Sequence, residues 1–263
     1  MINFTDKTFL ITGVANKKSV ATHVAKSLKE QGAKLIFTVQ HEEAYKQVEK
    51  LFPGELILFL EVENEQHYQQ VAQKLTDMNV KLDGLLHSIA FANYSEGMKP
   101  FHETKWNDFQ QASHISCFSL VELSKHLKPL MNKDASVVTI SISNTKATNY
   151  GYMGPIKAML DATICYLAKS FSTDTEIRFN AVGAGPLKTS ASAGIPGYIN
   201  NYLFAEQLTM RKRALATQEV ANSVLFLLST LSSGVNATTL LVDAGMSSNY
   251  FDEKVVEAFA QMN

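Results

Sequence analysis

Cysteine is scarce in this chain. Cys117 and Cys165 are the only two in 263 residues, too far apart to pair as metal ligands or to begin a disulfide framework. That excludes a small stapled fold and suits a reducing compartment, where each thiol is expected to be buried and inert. Neither sign of charge is in excess. The 24 Lys and Arg stand against 25 Asp and Glu, so the basic face that nucleic acid or an anionic membrane requires is missing. No apolar run approaches the roughly 20 residues that cross a bilayer. The start, MINFTDKTFLITG, has no basic stretch leading into a long apolar segment and a cleavage site. The seven histidines show no HExxH-type spacing, and no metal site is expected. Repeats, low-complexity tracts and linkers are absent as well. What remains is a soluble, cytoplasmic chain with one domain over residues 1–263, long enough to bury a large core unaided.

What is present is an alternation of short apolar runs with longer amphipathic ones. Thr8–Thr12, Lys34–Val39, Leu56–Val62, Gly84–Ser88, Ser136–Ile142, Ile177–Val182 and Thr238–Val242 read as strands. Helical spacing of apolar residues marks Ser19–Gln31, Glu42–Leu51, Asn64–Met78 and a long segment, Glu103–Met131. Ser19 and Asn64 suit helix N-caps and Gly32 a C-terminal stop. Strands this continuously apolar are covered on both faces. The pattern therefore predicts an α/β fold: a doubly wound, mostly parallel, seven-stranded Rossmann-like sheet with helices on both faces. The ligand crevice then lies at the C-terminal strand ends, where Gly13, Ser88, Ser143 and Gly185 fall.

Two stretches carry candidate chemistry. After the first strand comes Gly13-Val-Ala-Asn-Lys-Lys-Ser19. One glycine at a tight turn followed by a helix start suits a pyrophosphate; a plain βα turn with a capping serine accounts for the same residues. The second stretch is Asn149–Asp161, in which Tyr150 precedes Lys157 by seven residues. On one helix that is about two turns, which puts a phenol and an ammonium on a common face as an oxyanion site. The second strand ends at Gln40-His41-Glu42, without the Arg or Lys that welcomes a 2′-phosphate. That favours NADH over NADPH, although Lys46 lies one turn further on.

These stretches, with His87-Ser-Ile-Ala-Phe-Ala-Asn93, Met153-Gly154 and Arg178–Thr189, resemble the enoyl-acyl-carrier-protein reductases of the FabI type. That family is a divergent branch of the short-chain dehydrogenase/reductases, and its Tyr-x6-Lys replaces the usual Tyr-x3-Lys. The resemblance implies that Gly13, Ala15, Ser19 and Val20 meet the cofactor pyrophosphate, and that Gln40, Glu61 and Val62 meet the adenosine. Ser88, Ile89 and Ala90 would pass its middle. Gly185, Pro186, Leu187 and Thr189 would meet the nicotinamide and phosphates, with Lys157 on the nicotinamide ribose. Tyr150 would hold the thioester carbonyl of an enoyl substrate delivered on acyl carrier protein. Phe91, Ala92, Met153, Ile199 and Leu203 would contact the acyl group, the last two from a substrate loop at about 190–213. A homotetramer, with the helices near 103–131 and 151–171 at its interfaces, is also implied.

The sequence departs from the family at several positions. The family's second active-site tyrosine is replaced by Ile142, and Ser141 or Ser143 is the nearest hydroxyl, although both read more simply as the end of a strand and its turn. Glu61, Gly183 and His114 stand for Asp, Ser and Asp. Two alternatives follow: a carbonyl or alcohol oxidoreductase that reuses the site, and a catalytically impaired nucleotide-binding paralogue.

Overall fold

The computed structural model describes residues 2–189, 192 and 194–261. Seven parallel strands form one sheet in the order β3-β2-β1-β4-β5-β6-β7. They are β1 (Thr8–Thr12), β2 (Lys34–Val39), β3 (Leu56–Phe59), β4 (Leu82–His87), β5 (Met131–Ile142), β6 (Arg178–Ala184) and β7 (Thr238–Val242). Parallel neighbours need crossovers, and the helices supply them. On one face α1 (Val20–Glu30) and α2 (Glu42–Leu51) pack with α8 (Thr217–Leu228). On the other lie α3 (Glu65–Asp77), α4 (Trp106–Ser113), α5 (Ser119–Leu127) and α6 (Met153–Phe171). Alternate strand residues serve the two cores: Leu10 enters one while Phe9 and Ile11 enter the other. Two further helices, α7 (Tyr198–Leu208) and α9 (Glu253–Ala260), lie outside these layers.

Most predicted elements recur within a residue or two, and the exceptions have local causes. The long predicted helix is interrupted. It starts at Trp106, widens into a π-turn over His114–Phe118, and ends near Leu127, where Pro129, lacking an N–H, closes a 3₁₀ turn. β5 begins five residues early because Met131 pairs with Leu82 across an irregular register. β3 stops at Phe59, although Leu60 still donates to the Val39 carbonyl at 2.7 Å. Cys117 is buried as expected but Cys165 is exposed. Position 165 falls off the stripe of Ile156, Leu160, Ile164, Leu167 and Phe171 that α6 turns to the core.

Candidate active site

The sheet order reverses between β1 and β4, so the loops after these strands diverge and leave a crevice at their C-terminal ends. Thr12 closes its floor. Its hydroxyl donates to the Leu86 carbonyl at 3.0 Å and accepts from the Ser88 N–H at 3.0 Å. Gly13 follows with φ +78°, and a Cβ there would lie 1.9 Å from the Ser88 carbonyl oxygen. No other residue fits, so the backbone turns tightly enough to bring the N-terminus of α1 to the crevice. Ser19 caps that helix by accepting from the Thr22 N–H, a contact whose loss costs about 1 kcal/mol.

A cavity of about 530 Å³ opens from this crevice. Gly13, Ala15, Ser19 and Val20 line it from the first loop and α1, Ser88 from the fourth strand end, and Gly185, Pro186, Leu187 and Thr189 from the loop after β6. Tyr150 and Lys157 reach the same space, but not from one helix. Tyr150 ends a 3₁₀ turn over Thr148–Tyr150, Gly151 takes φ +63°, and α6 starts only at Met153. The left-handed glycine does the aiming that helical spacing was expected to do.

Lys157 is almost fully buried, and its ammonium donates to the Ile140 carbonyl at 2.8 Å. Burial lowers its pKa to about 8, opposed by Asp161 and Cys117. Burial and the neighbouring Tyr198 push the Tyr150 phenol up to about 12. At neutral pH the site therefore holds a cation and a neutral phenol that can donate. The Tyr150 hydroxyl bonds to none of the described residues.

His87 stabilises this edge from beneath. The Ser119 hydroxyl donates to the Ile115 carbonyl, so the His87 Nε2 carries the proton that meets Ser119 Oγ at 2.8 Å. The His87 Nδ1 then accepts from the Thr139 hydroxyl at 2.8 Å. Burial holds the imidazole neutral, at about 3. The π-turn also supplies Ser116, whose hydroxyl accepts from the Phe91 N–H and donates to the Phe91 carbonyl.

Several expected residues lie off the cavity. Gln40 is exposed after β2, while half-buried Glu61 and buried Val62 follow β3, all on the strands beyond β1. Ile89 packs on the core and Ala90 is exposed. Phe91 is held outward by Ser116, and Ala92 and Met153 pack into the core cluster. Ile199 and Leu203 are 49% and 48% exposed. The cavity face of α7 is instead Tyr198, Asn201, Phe204, Ala205 and Leu208, one helical stripe away. Ser190, Ala191 and Ala193 of the expected substrate loop lie outside the described residues.

Ile142 lines the cavity where a second tyrosine was sought. Tyr152 does not replace it, since its hydroxyl donates to the Asn93 carbonyl at 2.9 Å and its ring packs on Tyr94. Ser141 Oγ is buried without a bonding partner among the described residues. Tyr198, read from the sequence only among the apolar residues of the substrate loop, is the first residue of α7 and lines the cavity. Phasing α7 from the Gly197 that precedes it would have placed that ring inward.

The comparisons agree with this architecture. The enoyl-(acyl carrier protein) reductase family model matches residues 13–247. The chain is 38% identical over 254 residues to a Nostoc enoyl-acyl-carrier-protein reductase [NADH] FabI, covering 93% of this chain and 98% of the relative. It is 35% identical to a Staphylococcus aureus counterpart named for NADPH, with 93% and 98% covered. The solved enoyl-acyl-carrier-protein reductase (NADH) of Aquifex aeolicus superposes with a TM-score of 0.88 at 30% identity, over 93% of this chain and 97% of that one. FabI of Candidatus Liberibacter asiaticus gives 0.90 at 31% identity, over 95% and 99%. With a family model over nearly its whole length and relatives of this similarity, the chain belongs to the enoyl-acyl-carrier-protein reductase family.

Proposed function

We propose that this chain reduces the trans-2 double bond of an enoyl thioester carried on acyl carrier protein, using NADH. The observation that carries this reading is the single cavity in which a neutral phenol, a buried ammonium and the Gly13–Ser88 crevice meet. The crevice fits a dinucleotide: a Cβ would fill the turn at Gly13, and a helix N-terminus with its partial positive charge faces the same space. A bound reduced nicotinamide would supply the hydride for the β-carbon of the substrate.

The protein's own groups do the rest. Tyr150 donates a hydrogen bond to the thioester oxygen, and that bond strengthens as the oxygen becomes an enolate. The enolate oxygen then re-forms the carbonyl while the carbon–carbon π electrons of the enolate take a proton from solvent at the α-carbon. Lys157 holds ribose hydroxyls and adds a positive field beside the enolate. Apolar walls, Ile142 among them, exclude water from the reacting bond. Ser141 and Ser143 line this cavity as well, and Ser141 Oγ bonds to none of the described residues. NADH is favoured over NADPH by the end of β2, where Glu42 and Glu43 open α2 and His41 is occupied as its cap. Two carboxylates there repel a 2′-phosphate. The same reading makes the protein a cytoplasmic homotetramer.

The test follows reduced nicotinamide absorbance with enoyl thioesters of increasing chain length. Oxidation of NADH that requires the enoyl thioester is expected, and Tyr150→Phe should lower kcat about a hundredfold. Binding of NADH without turnover at any chain length would sink the reading.

A further inference from the structure

Tyr198 makes an unusual pair of contacts. Its hydroxyl accepts from the Leu187 N–H at 2.9 Å and donates to the Leu187 carbonyl at 3.0 Å. The two groups belong to Leu187, a residue of the loop after β6 that lines the cavity together with Tyr150, Lys157 and Tyr198. A backbone donor and acceptor presented together form the complement of a primary carboxamide, which offers one carbonyl and one NH₂ in the same plane. The nicotinamide ring carries such a group. On the cofactor reading above, Leu187 stands at that end of the crevice.

We propose that the Tyr198 phenol occupies the carboxamide's place, so that the nicotinamide end of the cofactor binds only by displacing it. Other observations make the displacement feasible. Tyr198 is the first residue of α7 and follows Gly197 at φ +71°, where a Cβ would meet nothing. That left-handed joint is not packed against other atoms on its Cβ side. α7 is loosely held, with Ala205 its one buried residue and Ile199, Leu203 and Phe204 exposed. The Ser192 hydroxyl lies 2.9 Å from the Leu187 carbonyl and 2.8 Å from the Thr189 carbonyl and can donate to either, so the Leu187 carbonyl has a second donor at hand when the phenol leaves. Opening then moves the stripe of Tyr198, Asn201, Phe204, Ala205 and Leu208, which is one wall of the cavity. Tyr198 thereby couples arrival of the nicotinamide to the shape of the space that takes the acyl group.

The test titrates NADH, and separately ADP-ribose, into the wild-type protein and Tyr198→Phe by calorimetry. ADP-ribose lacks the nicotinamide and makes no claim on Leu187. Removing one competing hydroxyl should tighten NADH about threefold to tenfold, by the net worth of the hydrogen bonds it frees, and leave ADP-ribose unchanged. Unchanged or weaker NADH binding, or an equal shift for both ligands, would overturn the proposal alone. Failure of both ligands to bind either protein would overturn the cofactor reading and this proposal with it. The aromatic ring is kept in the variant, and ADP-ribose binding reports its folding.

Discussion

Lys157 is a cation where burial makes cations unfavourable. Its pKa falls from the ordinary 10.5 to about 8, chiefly because the surrounding protein desolvates the ammonium. Between those values the unfolded chain keeps a proton that the folded chain has released. Stability therefore rises with pH across that window, and below about pH 8 the fold carries the whole burial penalty. Function, as proposed, runs the other way, because the charge assigned to the ribose and the enolate is lost as pH rises through about 8. The affinity for NADH should accordingly fall above about pH 8. Lys157→Met should bind more weakly at neutral pH and lose that pH dependence. A wild-type affinity that stays flat to about pH 9.5 would show that the charge is not used there. The pairing of this lysine with Tyr150 was legible from the motifs around it, since the spacing of two residue types this common, with nine tyrosines in the chain, says little alone. The route by which they meet was not, since nothing in the residue order announces that Gly151 takes φ +63° and separates Tyr150 from α6.

At the scale of elements, local signals carried furthest. Ser19 and Asn64 cap α1 and α3 through their own side chains, and β7 and α2 keep the predicted bounds. The misses are positions where a distant contact decides. The π-turn at His114–Phe118 holds Phe91 through Ser116, and Ser119, the first residue of α5 just after it, meets His87; both partners lie far away in sequence. α7 shows the same limit. Its composition announced an apolar loop, but the inward face depends on where Gly197 starts the helix, and Ile199 and Leu203 point outward. Such a helix should open more readily than α1, whose Val20, Ala21, Val24, Ala25 and Leu28 are all buried. Hydrogen exchange of the free protein should release α7 amides at least about tenfold sooner than those of α1, as local opening without global unfolding allows. Bound NADH should alter exchange in α7 while leaving α1 the slower of the two. Equal protection in the free protein would mean that α7 is part of the rigid scaffold.

At the scale of the whole molecule, two helical surfaces leave large side chains exposed among the described residues. Trp106 is 70% exposed and Phe118 50% along the interrupted helix, while Met159 and Tyr166 are 39% and 77% exposed on α6. The two helices touch at one point, where Cys117 Sγ lies 3.4 Å from Thr163 Oγ1, and Thr163 sits between Met159 and Tyr166 on one helical stripe. Tyr250 and Phe251, each 83% exposed, add a further apolar site near the C-terminus. Rings this exposed are uncommon on a lone soluble chain unless something covers them, and a symmetric copy of the same face is the simplest cover. The homotetramer proposed above would use these surfaces. Light scattering behind a sizing column should then give four times the 29.1 kDa chain mass. Tyr166→Glu would put an uncompensated carboxylate into that contact and should yield smaller species without loss of the folded circular-dichroism signal. A wild-type monomer at micromolar concentration would remove the tetramer, and a Tyr166→Glu protein that stays tetrameric would move the interface off α6.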